Sequence, residues 1–330
     1  MTGRFASWAV VVALVVIAVC TAQGQDGDGG QSGAFMQVPI GARATAMGGA
    51  FRALADDGSA PLYNPAGPAT IRKGLFSTSY RAMQLDRTLG YISVITPTQG
   101  NSALGASWLY ANSGSVEARD TEGKLAGHDI STNQHAIGIL FAKRFERWIS
   151  IGANFRYLQT TFPEFNAFTV SFDIGTMLYL SQLIGRERRA DMWIRDIQVG
   201  IVVRHIGTNF RWNNEKYVAK FFGDQRGSGR TERVPVEVAV GGSARFLERK
   251  LVFAADVLKN EKQSIKVHTG AEYFVTAEFA LRVGQSAGQG TVGFGYMFKV
   301  GQSHLALAYA FSAERASEGS EHIFSFDFFF

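Results

Sequence analysis

Several things are scarce in this 330-residue chain: it has one cysteine and seven prolines, and only 18% of its residues are charged. Charge this low beside 46% hydrophobic residues excludes a disordered protein. After residue 20 there is no uninterrupted apolar run of the ~18 residues that a membrane helix needs, which excludes a helical membrane protein. A formal net charge of +5 is too small an excess to argue for nucleic acid. The cysteine, Cys20, stands in what reads as a secretory leader over residues 1–22: Arg4 is a positive start, Trp8 to Val19 an apolar core, and Cys20-Thr21-Ala22 the small residues before a cut. Val19 is larger than the residue usual before a lipidated cysteine, so the lipoprotein alternative is the weaker one. Cleavage after Ala22 leaves no cysteine, and with it no disulfide, thiolate metal site or cysteine nucleophile.

Catalytic signatures are equally scarce. The six histidines, at 128, 135, 205, 268, 304 and 322, have no metal-ligand spacing. Asp26-Gly27-Asp28-Gly29-Gly30 begins like a calcium loop but lacks the later ligands and the closing Glu, and residues 23–34 read as a flexible Gly-rich linker. Gly284-Gln285-Ser286-Ala287-Gly288 has the pattern of a nucleophile elbow, yet a strand rather than a helix follows it. No catalytic, cofactor or metal residue is expected, and the chain reads as non-enzymatic.

What is present is glycine, 37 of them, 26 phenylalanines, and a period of two. Ile149, Ile151, Ala153, Phe155 and Tyr157 alternate with Ser150, Gly152, Asn154 and Arg156. Phe168, Val170, Phe172 and Ile174 alternate with Thr169, Ser171, Asp173 and Gly175. Val234, Val236, Val238 and Val240 form one further apolar face, and Val292, Phe294, Tyr296, Phe298 and Val300 another. Side chains two apart share a strand face. Fourteen such segments start near 75, 88, 102, 132, 148, 168, 195, 234, 250, 265, 277, 290, 302 and 321. A soluble sandwich also has one apolar face, but the connections point elsewhere. They are very short after the fourth, eighth, tenth and twelfth segments and long after the third and seventh, as when even turns face the periplasm. Ser181 to Ile194, long after the sixth, is an exception. The chain closes with Phe324, Phe326, Phe328 and Phe330 on one face, which resembles the C-terminal assembly signal of bacterial outer-membrane barrels. The expected fold is all-β: a 14-stranded antiparallel transmembrane β-barrel over residues 75–330, in the bacterial outer membrane.

Residues 35–74 do not alternate and are rich in small side chains, so they read as a hatch inside the barrel. Gly41-Ala42-Arg43, Ala46-Met47-Gly48-Gly49-Ala50-Phe51, Ala55-Asp56-Asp57 and Asn64-Pro65-Ala66-Gly67 resemble the N-terminal signature of the PorV/PorQ family, which is similar to FadL-type transporters. The resemblance implies a hatch motif of Gly41, Arg43, Met47, Gly48, Gly49, Asp56, Asp57, Asn64, Pro65 and Gly67. It implies a component of protein secretion or surface assembly (type IX-like) that binds protein partners. The alternative it carries is a FadL-like transporter for long-chain fatty acids or other hydrophobic molecules.

With apolar faces outward, the lumen is expected to hold Asn154, Arg156, Asp173, Arg204, Glu237, Arg245, Lys266, His268, Glu272, Glu278, Arg282, Lys299 and His304, while Trp108, Tyr110 and Trp148 suit interfacial girdles. The connection after the seventh segment interleaves Phe210, Trp212, Tyr217, Phe221 and Phe222 with Lys216, Lys220 and Arg226. Such a loop suits a protein partner or lipopolysaccharide, or folds over its own barrel mouth. Expected partners are outer-membrane lipid and lipopolysaccharide, the barrel-assembly machinery, and secretion-system proteins or a lipophilic ligand; nucleic acid is not among them.

Overall fold

The computed structural model describes residues 32–119, 122–162, 166–183, 193–213, 230–313 and 319–330. The expected leader, most of the linker, and Tyr217, Lys220, Phe221, Phe222 and Arg226 of the candidate partner loop lie outside the described residues.

Fourteen strands form the wall: β1 (Leu75–Ala82), β2 (Thr88–Thr98), β3 (Ser102–Asn112), β4 (Asn133–Glu146), β5 (Ile149–Thr161), β6 (Asn166–Tyr179) and β7 (Ile194–Ile206). The second half is β8 (Glu237–Phe246), β9 (Leu251–Asn260), β10 (Lys266–Phe274), β11 (Phe279–Ser286), β12 (Gln289–Val300), β13 (Ser303–Ser312) and β14 (Glu321–Phe329). Each pairs antiparallel with the next, and β1 closes the ring on β14 from Leu75↔Phe329 to Ala82↔His322. The terminal Phe330 extends this seam, its N–H donating to the Gly74 carbonyl. Closure leaves no free sheet edge in the wall.

The outward face is apolar: Ile137, Ile139 and Phe141 on β4, Val292, Phe294 and Tyr296 on β12, and Phe324, Phe326 and Phe328 on β14 are all exposed. In water such a surface would aggregate; in a bilayer it is the contact with lipid. Trp108 stacks on His135 at one end of this belt, and Trp148 lies at the other.

Two connections carry extra strands. Val116–Arg119 pairs with Leu125–Ile130 as a separate hairpin between β3 and β4. Asn209–Asn213 pairs with Arg230–Arg233 and also with the start of β6, carrying the wall beyond β7. Three expectations are corrected. Val234 is buried inside rather than outward, because Pro235 interrupts the alternation and β8 starts at Glu237. Glu278 and Lys299 are exposed at the rim of the short turns instead of within the lumen, since Glu278 precedes β11 in its turn and Lys299 stands at the very end of β12. The β11–β12 connection is a two-residue turn on the long-loop side, where Ala287 and Gly288 take φ of 47° and 94°. Positive φ at both positions is what a tight hairpin demands, so connection length follows side only as a tendency. The G-x-S-x-G stretch is therefore the end of a β-hairpin. The long β6–β7 connection begins with a short helix, α1 (Leu180–Leu183), whose Ser181 hydroxyl accepts the Ile197 N–H.

Candidate functional site

Residues 34–74 lie within the ring with little regular structure: two helical turns at Ala42–Ala46 and Ala60–Tyr63 and two 3-10 turns. Buried backbone must find partners, and a segment this irregular cannot supply them itself. The wall does so. Asp256 Oδ2 accepts the N–H groups of Phe51 (2.8 Å) and Arg52 (2.9 Å), Ser325 Oγ that of Ala42 (2.7 Å), and Thr291 Oγ1 that of Gly48 (3.1 Å). In the other direction Ser93 and Tyr91 donate to the Gly58 carbonyl, Asn154 and Arg156 to that of Pro61, Ser150 to that of Ala66, and Ser243 to that of Ala53. His268 Nδ1 lies 2.6 Å from the Gly48 carbonyl, which can only accept, so this nitrogen carries the proton.

Charge pairs add a second tie. Arg43 makes a bidentate contact with Glu272, 2.9 Å at each nitrogen, reaches Asp56 at 2.5 Å, and lies over the Phe51 ring. Glu272 also accepts from Arg282 at 2.8 Å. Higher up, Arg52 of the hatch and Arg204 of β7 share Glu237, at 3.6 and 3.2 Å. Arg156 pairs with Asp173, and Arg81 with Glu321. With both members desolvated, loss of one leaves the other unpaired.

Close approach is made possible by glycine. Gly152 faces Gly175 across β5 and β6, Gly200 faces Gly241 across β7 and β8, and Gly270 faces Gly284 across β10 and β11. A side-chain carbon on Gly152, Gly175, Gly200, Gly270 or Gly284 would overlap Pro65, Asn64, Arg52, Met47 or Gly48 of the hatch. Three cross-strand pairs thus let hatch backbone rest on wall backbone. The expected hatch residues meet here: Gly48 and Gly49 turn the chain at φ of 65° and 79°, Met47 is fully buried, and Asn64 donates to the carbonyls of Arg52 and Thr176 while its Oδ1 accepts the Ala66 N–H. Gly67 touches Ala55, Gly41 touches Ser59, and Asp57 accepts from the Ser59 N–H and hydroxyl.

Above the hatch, on the side of the long connections, lies a cavity of about 700 Å³. Its floor is Ala34 to Ile40 with Arg52 and Tyr63. One side carries an apolar patch among polar neighbours: Leu89 of β2 and Leu109 of β3 line it beside Thr88, Asn112 and Gln134, and Tyr91, Leu158, Ala167 and Phe210 continue the same buried cluster, joined by Phe35, Met36 and Ile40. The other is polar, with Glu237, Asn260, Lys266, His268 and Thr291. An inward apolar patch departs from the polar interior usual in transmembrane barrels. The volume lies in the range of small-molecule sites.

Two features were missed or misjudged from sequence. Asp256 was not among the expected lumen residues, although it alternates with Ala255 and Val257 on β9. Phe210 was expected in a surface loop but is 1% exposed within the apolar cluster, stacked on Trp212 at 5.9 Å; Trp212 donates to Glu232. Of the aromatic and basic residues expected in that loop, the structure describes Phe210 and Trp212.

The fold is similar to that of the Pseudomonas putida toluene transporter TodX (TM-score 0.59, 13% identity, 88% of this chain and 96% of that one). It is likewise similar to a Pseudomonas aeruginosa FadL homologue (TM-score 0.57, 12% identity, 89% and 98%) and to the monoaromatic hydrocarbon channel CymD (TM-score 0.57, 14% identity, 88% and 97%). The chain is an outer-membrane β-barrel. Residues 7–160, which take in the hatch and β1–β4 with nearly all of β5, match the model of an uncharacterised protein family, UPF0164. No curated protein matches the chain by sequence.

Proposed function

We propose that the protein is a non-enzymatic outer-membrane channel for small hydrophobic molecules, in the FadL-like manner that extends to long-chain fatty acids. The observation that carries this reading is the apolar patch of the vestibule: Leu62, Met83, Leu89 and Leu109 line a cavity of about 700 Å³ beside Phe35, Met36 and Ile40, where the interior of a water-filled barrel is polar. The names of the structural relatives, a toluene transporter and a monoaromatic hydrocarbon channel, support the same substrate class. A hydrophobic ligand gains roughly 25 cal/mol per Å² of apolar surface removed from water, so one polar substitution in this patch weakens its retention by about 1–2 kcal/mol, or some tenfold. The test is Leu109→Asn in cells that depend on the barrel for uptake of a lipophilic compound. Uptake falls by about tenfold while the heat-modifiable folded form is retained; unchanged uptake defeats the proposal.

A second reading, a PorV/PorQ-type component of secretion or surface assembly, is favoured by the Val116–Ile130 hairpin. It stands apart from the wall sheet and exposes Val116, Leu125 and Ile130. A deletion strain separates the two. Selective loss of secreted or surface-attached proteins, with uptake of lipophilic compounds intact, supports partner binding. In either case outer-membrane lipid and lipopolysaccharide surround the apolar belt, and the aromatic strand ending at Phe330 is offered to the barrel-assembly machinery.

A further inference from the structure

The place where the chain enters the barrel has a topological consequence. The Ser32 hydroxyl donates to Glu232 Oε2 at 2.6 Å, and Gly33 packs against Val234 and Met36. Glu232 and Val234 belong to the long β7–β8 connection, and Ser32 shares a small pocket with Gln134 of β4, Thr160 of β5 and Trp212. All lie at the end of the barrel that bears the longest connections, which in this class of fold is the outer face. From there the hatch winds towards the other end, dipping at Arg43 and rising again at Arg52 beside Glu237 before it descends. Ala34 to Ile40 floor the vestibule, Arg43 meets Glu272 deeper in, and Gly74 joins Phe330 at the opposite rim, where β1 starts.

We infer that the hatch enters the barrel from the cell surface, so that the processed amino terminus stands on the outer side of the outer membrane. A leader is delivered from the inner side. An apolar segment such as Trp8 to Val19 would still be held there while Ser32 occupied the outer mouth, so the leader must be removed before the wall closes around the hatch. The terminus is then a surface feature, available to antibody, protease or partner from the medium.

Cysteine labelling in intact cells tests the inference, because Cys20 leaves with the leader. Ser32→Cys is expected to react with a membrane-impermeant maleimide as fully in intact cells as after permeabilisation. Gln99→Cys, in the β2–β3 turn at the other rim, is expected to react only after permeabilisation. An epitope inserted between Ala22 and Gln23 should be reached by antibody on intact cells, and it decides the matter if the Ser32→Cys thiol proves unreactive in both states. Heat-modifiable mobility reports folding of each protein. Labelling or antibody access at the amino-terminal sites only after permeabilisation, or labelling of Gln99→Cys in intact cells, overturns the inference. None of these results depends on what the channel carries.

Discussion

Strands β2 and β3 and strands β8 and β10 face the same cavity, yet the first two turn Leu89 and Leu109 into it and the second two turn Glu237, Lys266 and His268. The difference follows what each wall meets. On the polar side the wall touches hatch backbone and charge: Glu237 takes Arg52 and Arg204, and His268 donates to Gly48. On the apolar side it touches Phe35, Met36 and Ile40, whose side chains need exclusion from water rather than hydrogen bonds. Inward polarity is thus placed where an irregular main chain has to be satisfied, and inward hydrophobicity where the upper hatch packs and the cavity opens.

This contrast can be broken in order of size. Gly152→Val places a branched side chain where the Pro65 carbonyl sits, and neither backbone can retreat, so the heat-modifiable barrel is expected to be lost altogether on a denaturing gel. Arg43→Met leaves Glu272, fully buried, with Arg282 alone. Removing one partner of a buried pair costs about 3–5 kcal/mol, which would appear as a lower urea midpoint of the refolded barrel; an unchanged midpoint would show that the hatch is not held by charge. Glu122→Ala belongs to neither wall. It removes an exposed contact with Lys124 at 2.9 Å and should change stability by less than about 1 kcal/mol in the same titration.

Much of the wall could be read from alternation. The segment expected near 148 begins at Ile149, that near 195 at Ile194 and that near 321 at Glu321, because a lipid-facing surface forces every second residue to be apolar. The ends of strands were harder. The alternation of β7 breaks at His205 and Gly207, with φ of 62° and 73°, and from sequence this reads as the start of a loop; in the structure the strand resumes at Asn209 and turns Phe210 inward. The glycine pairs were hidden for a different reason. Gly152 and Gly175 become neighbours only through cross-strand register, and their role depends on a hatch more than 80 residues earlier in the chain, as the Ala66–Ser150 bond shows. Asp256 escaped notice because one carboxylate in an apolar strand has no visible partner until Phe51 and Arg52 are placed beside it.

The bonds that seat the hatch also bear on how the molecule is made. Arg43 to Glu272 and Ala42 to Ser325 join residues separated by 229 and 283 positions, so the first segment synthesised waits for the last before its polar groups are satisfied. Contacts of such long sequence separation make for slow folding, during which a glycine-rich, unpartnered amino-terminal stretch must be kept from wrong associations. Unaided refolding in detergent should therefore pass through a long-lived state with strands formed and the hatch unseated, and its final step should slow selectively when Ser325 or Glu272 is replaced.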